Sequence, residues 1–244
     1  MKKLFLSLIL LMTFESISAK DLRNQLAIDI PGVMTKVTDW RHHFHEFPEL
    51  SNREYKTQES IAEALIEMGL EPNLNYGITG VTAFIRGQNA GPLIALRADI
   101  DGLPVTEKLN LPFSSKAKTT YQGNEVGVMH ACGHDAHIAV LLGVASFLSQ
   151  NTDKLNGDIL LIFQPAEEGA PEGEEGGAEL MLKQGLFEAE KPDAIFGMHV
   201  ANFKNGQIWT KPGPIMASAE AFRITVQGRQ THGSRPWSGV DPII

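Results

Sequence analysis

Compact apolar runs alternate along the chain with stretches in which apolar residues recur every three or four positions. The compact runs predict strands at 81–85, 93–98, 159–163 and 194–198. Gly87, Gly91 and Pro92 separate the first two runs, which is typical of a hairpin or a strand pair. A later segment, 222–228, alternates between apolar and polar residues and predicts another strand.

Helical periodicity fills the intervals between these runs. It predicts helices at 33–47, from just after Glu54 to about Met68, at 136–148 and at 178–184. Pro48 ends the first helix, and Ser51 with Glu54 has the spacing of a capping box before the second. Because helices and strands interleave, we expect an α/β fold with a mostly parallel central sheet and helices on both faces.

The N-terminus has the pattern of a signal peptide. Lys2 and Lys3 precede the apolar run 4–14, and small residues at 16–19 offer a cleavage site. The run is too short to span a bilayer, which takes about 20 residues. We therefore expect segment 1–19 to be removed and the protein to be exported, either periplasmic or secreted. The alternative is an N-terminal membrane anchor that stays uncleaved.

Charge and cysteine content limit which partners and which stabilising interactions we expect for this protein. The chain has 244 residues and a net charge of −8. An acidic balance without basic clusters argues against nucleic acid and anionic membranes as partners. The single cysteine excludes a disulfide within the chain, so stability must come from a packed core, for which 43% hydrophobic residues suffice.

That cysteine lies in segment 130–137, where residue types that bind metal ions are concentrated. It contains Cys132 together with three histidines and an aspartate, His130, His134, His137 and Asp135. Thiolate, imidazole and carboxylate suit zinc and also accept manganese, cobalt or nickel. The alternative is a small buried cysteine beside polar residues that cap a helix. An unpaired thiol in an exported chain favours the metal site.

Acids and an imidazole also follow three of the predicted strands. Asp99 and Asp101 follow the strand at 93–98, Glu167 and Glu168 follow the strand at 159–163, and His199 follows the last. Carboxyl ends of parallel strands meet at one edge of a sheet, where open α/β folds bind ligands. The sequence therefore predicts one site that contains these side chains.

The adjacent pair Glu167 and Glu168 suits metal-assisted hydrolysis. In extended backbone, neighbouring side chains point to opposite sides, so one carboxylate can bind a metal while the other faces the substrate. The free carboxylate would take a proton from water and pass it to the leaving group. The sequence pattern does not say which glutamate does which. The remaining glutamates of this loop fit a solvated acidic surface: Glu172, Glu174, Glu175 and Glu179.

Four motifs carry a resemblance to a known family. They lie at 97–104 (RADIDGLP), 130–137 (HACGHDAH), 164–169 (QPAEEG) and 197–200 (GMHV), and segment 42–51 adds a fifth. In order and spacing they resemble the metal-dependent N-acyl-amino-acid amidohydrolases. That family includes hippurate hydrolases, bacterial aminoacylases, auxin-conjugate hydrolases and N-acetyl-diaminopimelate deacetylases.

The resemblance implies a role for each motif residue. Two divalent ions (Zn, Mn, Co or Ni) would be bound by Cys132, His134, Glu168 and His199. Glu167 would be the general base and acid, and Asp99 would orient a ligand. Loop and helix-cap roles would fall to Asp101, Asp135 and His137, whereas the histidines of the first helix would be surface or packing residues: His42, His43 and His45.

The resemblance also divides the chain into domains. It implies a catalytic domain at 20–218 and, at 219–244, the beginning of a smaller α+β lid and dimerisation domain. His232 would reach the active site of a partner subunit, bind substrate there and stabilise the developing oxyanion by about 3 kcal/mol. Two features depart from the family pattern: Gln230 and Thr231 stand where glycines are usual, and Trp237 where a second histidine is common.

Taken together, these features predict a hydrolase that cleaves the amide bond of small N-acyl amino acids and is a homodimer at full length. Because the family continues beyond position 244 to a last histidine ligand, we expect a fragment or a truncated gene product. Two alternatives remain open. One is a metallo-exopeptidase acting on dipeptides, and the other is an inactive metal-binding fragment.

Overall fold

A computed structural model describes residues 2–218, 222 and 224–244 of the chain, with side chains described from residue 21 onward. The chain divides into two compact units, Met1–Ala201 and Asn202–Ile244. The helices of the first unit are α1 (Lys2–Glu46), α2 (Tyr55–Glu67), α3 (His134–Ser149) and α4 (Gly177–Lys183). Its strands are β1 (Val81–Ile85), β2 (Asn89–Asp99), β3 (Lys118–Tyr121), β4 (Asn124–Gly127), β5 (Asn156–Gln164) and β6 (Ala194–Gly197).

The central sheet has the strand order β1-β5-β2-β6. Strands β2, β5 and β6 run parallel, whereas β1 is antiparallel to β5. The predicted hairpin between the first two strands is wrong, because β5 lies between them. The reason is the burial of β5, whose residues 160–164 are all buried, so that it needs a hydrogen-bonded neighbour on each side.

Both faces of the sheet are covered by helices. On one face Phe163 packs in a cluster with Phe44 of α1, Leu65 of α2 and Leu142 of α3. On the other face the smaller cluster of Leu160 and Ile162 is covered by α4. Each large apolar side chain buried in this way contributes about 1.5–3 kcal/mol. The predicted α/β class, with a mostly parallel sheet between helices, is confirmed.

Helix α1 begins far earlier than the helix predicted at 33–47, and it ends at Glu46, just before Pro48. Pro31 lies inside it. Residues 2–19 of the predicted signal segment 1–19 lie within this helix, Met1 lies outside the described residues, and the signal peptide remains a prediction. In the part of the chain that the structure describes, no helix combines the length and apolar character needed to cross a membrane.

The capping box predicted for α2 is wrong. The glutamate that caps the helix is Glu49, whose carboxylate accepts hydrogen bonds from the backbone N–H and the hydroxyl of Thr57 (2.9 and 3.0 Å). Ser51 instead donates to Asp101 (2.7 Å), and Glu54 accepts from Thr79 (2.6 Å). Both residues turn inward because buried polar partners, distant in sequence, are available there.

Two local elements differ from the sequence pattern. The β3–β4 hairpin was not predicted because its residues are mostly polar and exposed. Its turn places Gln122 and Gly123 at positive φ (49° and 80°), as in a tight primed turn. The strand predicted at 222–228 is absent from residues 222 and 224–228, while Ala221 and Arg223 lie outside the described residues.

The second unit, taken by itself, has little regular structure among its described residues. It contains one 3₁₀ turn, Pro236–Ser238, and a single antiparallel bridge between Arg229 and Val240. Phe203 and Trp209 stack with ring centroids 5.3 Å apart. His232 is exposed, and its Nδ1 lies 2.9 Å from the Ser234 hydroxyl.

Candidate functional site

The carboxyl ends of three parallel strands and the start of α3 position the predicted site. In the sheet register, Asp99 at the end of β2 lies opposite Gln164 at the end of β5, and Arg97 lies opposite Gly197 at the end of β6. The segments after these strands therefore leave the sheet at a common edge. Helix α3 begins at the same place with His134.

The structure brings six of the seven predicted site residues together. Three sets of side chains each offer ligand atoms within 4.8 Å of one another: Cys132, His134 and His199; His134, Glu167 and Glu168; and Asp99, His134 and His137. His134 belongs to every set. The seventh predicted residue, His232, lies in the second unit.

His134 is held so that one ring nitrogen faces the cluster. Its Nδ1 lies 2.8 Å from the carbonyl oxygen of Asp101, which can only accept, so Nδ1 carries the proton. Its Nε2 faces the cluster and is buried without a hydrogen-bond partner among the described residues. Three carboxylates approach that nitrogen, those of Asp99 at 3.6 Å, Glu167 at 3.7 Å and Glu168 at 3.9 Å.

These surroundings fit a divalent cation. Burial alone would lower the pKa of His134, but the carboxylates of Asp101, Asp99 and Glu167 raise it, so the site favours a positive charge. A proton supplies that charge in the absence of metal, and a metal ion bound by the imidazole would replace it.

Burial and the neighbouring Glu168 raise the pKa of the Cys132 thiol to about 12, so that no thiolate forms at neutral pH without a cation. A bound dication deprotonates such a thiol. The Cys132 sulfur lies 3.5 Å from Nε2 of His199, so the two could serve one ion.

Glu167 and Glu168 do not point to opposite sides, contrary to the expectation from extended backbone. Residues 167 and 168 form a turn, because Ala166 just before them adopts a left-handed conformation (φ 51°). Both carboxylates consequently face His134. They differ in exposure: the side chain of Glu168 is 22% exposed and that of Glu167 is 38% exposed.

Two buried acids anchor this turn through its backbone. Glu54 accepts a hydrogen bond from the N–H of Ala166 (2.9 Å), and Asp101 accepts one from the N–H of Glu168 (2.9 Å). Asp101 also accepts from the Ser51 hydroxyl (2.7 Å). The loop-holding role expected for Asp101 matches these contacts, whereas the sequence pattern had placed Glu54 in a helix cap.

A second set of hydrogen bonds, which was not predicted from sequence, links Asp99 through His137 to Val200, the neighbour of His199. The Asp99 carboxylate accepts a hydrogen bond from Nδ1 of His137 (2.6 Å), and Nε2 of His137 accepts one from the N–H of Val200 (2.8 Å). Burial alone would raise the pKa of Asp99, but His137 and the Arg97 guanidinium lower it to about 2. Asp99 thus stays ionised and positions His199 through its neighbour Val200. The three-residue spacing of His134 and His137 on one helix face was the available signal.

Gly133 allows α3 and the strand-end segment of β6 to approach closely. It has a φ of 90°, and a Cβ at this position would lie 2.3 Å from Cγ2 of Val200. Only glycine satisfies both conditions without strain. The close approach keeps Cys132 and His199 within reach of each other.

The remaining histidines have structural surroundings. His45 is buried between two carboxylates, with Nδ1 2.9 Å from Asp135 and Nε2 3.3 Å from Glu107. His42 stacks on Phe113 with ring centroids 3.8 Å apart. His130 is buried, and neither of its ring nitrogens has a hydrogen-bond partner among the described residues.

The burial of Glu54 predicts that the stability of the protein depends on pH. Burial, together with the charge of Asp101, raises the pKa of Glu54 from 4.5 to about 7, although hydrogen bonds from Thr79 and Ala166 oppose the shift. The folded protein therefore binds this proton more tightly than the unfolded chain, and the free energy of unfolding falls as pH rises through this range. We expect Glu54→Gln to gain about 2–3 kcal/mol relative to the unmutated chain between pH 5 and pH 8.

Urea denaturation in the presence of a chelator measures this difference without a contribution from metal. Glu59→Gln is the matched control, because Glu59 is an exposed acid on α2, the helix that directly follows Glu54, and should show no pH-dependent difference. A difference between Glu54→Gln and the unmutated chain that stays constant with pH would contradict the raised pKa.

Comparison with known proteins agrees with this geometry. Residues 95–238 match the family described as "Peptidase family M20/M25/M40". Thermostable carboxypeptidase 1 of Saccharolobus solfataricus is 44% identical over 226 residues, which are 92% of this chain and 54% of the relative. Hippurate hydrolase of Campylobacter jejuni is 42% identical over 218 residues, which are 88% of this chain and 52% of the relative.

Solved structures agree as well. The Bacillus subtilis YxeP protein, described as a dinuclear metal-binding peptidase of the M20 family, is 42% identical with a TM-score of 0.60, and the match covers 69% of this chain and 44% of that protein. The chain spans about half the length of the curated relatives it matches. The resemblance inferred from the motifs is thus confirmed, and the chain belongs to peptidase family M20/M25/M40.

Proposed function

We propose that this chain carries the metal-binding part of a hydrolase that cleaves the amide bond of N-acyl amino acids. The observation that carries the proposal is the buried, unpartnered Nε2 of His134, which faces the carboxylates of Asp99, Glu167 and Glu168. A cation held there would lie between those acids and the pair Cys132 and His199. The hippurate hydrolase relative supports an N-acyl amino acid as the substrate class.

Cys132, His134, Glu168 and His199 would hold the metal. YxeP, described as dinuclear, supports two ions, and the thiolate, imidazole and carboxylate donors suit Zn, Mn, Co or Ni. When bound, such ions supply Lewis acidity, which polarises a carbonyl group and acidifies water. The lower exposure of Glu168 supports its assignment as a ligand rather than as the base.

Glu167 would move the proton. Its carboxylate lies at the cluster but is the more exposed of the pair, so it can accept a proton from water and pass it to the departing amine. Asp99 would act through His137 and Arg97 on the arrangement of the site. For the full-length protein we propose a homodimer in which His232 contacts the substrate bound by the partner subunit.

A metallo-exopeptidase acting on dipeptides is the second candidate, favoured by the thermostable carboxypeptidase relative. The two substrate classes differ at the acyl end, where a dipeptide carries a free charged amine and an N-acyl amino acid does not. The test is the release of free amino acid from hippurate and from glycyl dipeptides by protein loaded separately with each of the four ions.

We expect hippurate to be cleaved faster than the dipeptides and a chelator to abolish turnover. Faster cleavage of the dipeptides would establish the exopeptidase instead. Stoichiometric metal without turnover of either substrate would identify a non-catalytic metal-binding protein and overturn the proposal.

A further inference from the structure

The Glu167–Glu168 turn depends on a residue far from it in sequence. We infer that Glu54 is a positioning residue that holds the backbone of Ala166 and thereby directs both carboxylates toward His134. The inference rests on the proposed function only in the roles of Glu167 and Glu168. The contacts that carry it belong to the backbone and to buried side chains outside the proposed ligand set.

The turn needs such support because its conformation is intrinsically unfavourable. Ala166 has a φ of 51°, in the left-handed region that L residues with a side chain rarely adopt. Strained conformations of this kind persist only where the surroundings enforce them, and they cluster at functional sites. The backbone N–H of Ala166 is tied to Oε1 of Glu54 at 2.9 Å, which supplies that enforcement.

Glu54 is itself held in place. Its other oxygen, Oε2, accepts a hydrogen bond from the hydroxyl of Thr79 (2.6 Å), and both residues are completely buried. Glu54 also directly precedes the first turn of α2, whose N-terminus favours a negative charge. A buried carboxylate with both oxygens engaged has little freedom, so the position of Ala166 follows from it.

Asp101 and Glu54, the two acids that anchor the turn, bond to different residues of it. Oδ2 of Asp101 holds the N–H of Glu168, but Oδ1 lies 3.3 Å from Nδ1 of His134, so that replacing the Asp101 side chain would disturb a proposed ligand directly. Among the hydrogen bonds of the described side chains, Glu54 makes none to Cys132, His134, Glu168 or His199. Glu54 therefore allows the positioning of the turn to be tested separately from metal coordination.

The test compares Glu54→Leu with Glu54→Gln, which keeps the shape and one acceptor oxygen for the N–H of Ala166. Glu59→Gln on the exposed face of α2 is the control. Two readouts are used: Co²⁺ titration followed by the thiolate-to-cobalt absorption, and hydrogen exchange of peptides covering 164–170 and, separately, α2.

We expect Glu54→Leu to weaken Co²⁺ binding by about 10–100-fold, the usual effect of losing a group that orients a ligand. Exchange in 164–170 should accelerate while exchange in α2 stays unchanged, and Glu54→Gln should restore most of both properties. If Glu54→Leu fails to fold, Thr79→Val provides the same comparison, because it removes only the hydroxyl that orients Glu54.

Unchanged exchange at 164–170 in Glu54→Leu, or in Thr79→Val if the leucine variant is unfolded, would overturn the inference. Equal acceleration throughout α2 would also overturn it, since it would show a loss of general stability. Failure of the unmutated chain to bind Co²⁺ would count against the proposed function alone, because the exchange comparison still decides the role of Glu54.

Discussion

Replacing His134 with alanine should abolish divalent-metal binding. The side chain belongs to every set of potential ligands in the described structure, and its Nε2 is buried without a hydrogen-bond partner among the described residues. Loss of a direct ligand should exceed the 10–100-fold effect typical of residues that only orient one. Elemental analysis after dialysis and Co²⁺ titration measure the effect, and Cys132→Ser and His199→Ala should show smaller losses in the same direction.

His43→Ala is the control for this experiment. It also removes a histidine, but His43 is exposed on α1 and contacts Ser60 and nearby phenylalanine rings rather than the cluster. Circular dichroism should show the same helix content in both variants. Metal content in His134→Ala equal to that of the unmutated chain would show that the ligand set is wrong.

Glu167→Gln should remove turnover while leaving metal binding nearly intact. Glutamine keeps the shape of the side chain but cannot accept a proton at neutral pH, so kcat should fall by about 10²-fold or more. Glu168→Gln should instead lower metal affinity, because a neutral amide is a much poorer ligand than a carboxylate. Kinetics and elemental analysis of both variants, in the form of the protein that cleaves hippurate, give the comparison.

The two variants control each other, since they make the same chemical change at adjacent positions. Metal loss in Glu167→Gln with retention in Glu168→Gln would exchange the roles assigned here. Full activity in both would rule out either glutamate as the proton carrier. Because both carboxylates face His134 in the structure, their distances from Nε2 (3.7 and 3.9 Å) do not by themselves distinguish these outcomes.

Local patterns in the sequence located the strands and the site well. The four apolar runs became strands of the central sheet, because strand formation at these positions follows from the local apolar pattern and short length. The predicted site residues after those strands converge because parallel strands share an edge. Neither the positions of the strands nor the location of the site depended on knowing which strands are hydrogen-bonded neighbours.

Strand pairing and hydrogen-bond partners were not predictable in the same way. The insertion of β5 between β1 and β2 depends on packing between segments far apart in sequence. The spacing of Ser51 and Glu54 is typical of a capping box, but neither side chain caps α2. Ser51 bonds to Asp101 instead, and Glu54 bonds to Thr79 and Ala166. The left-handed residue at 166 is an alanine, so the turn carried no glycine to indicate it.

The anchors of the Glu167–Glu168 turn also determine when the site can form during folding. The bond from Ala166 to Glu54 closes a loop of 112 positions, and the bond from Glu168 to Asp101 closes one of 67. The pairing of β2 with β5 closes loops about as long as the second one and brings the segments after both strands together. We therefore expect the bond from Glu168 to Asp101 to form once the sheet has assembled. A metal ion would then bind a chain whose sheet is already assembled, and it would slow unfolding rather than nucleate the fold.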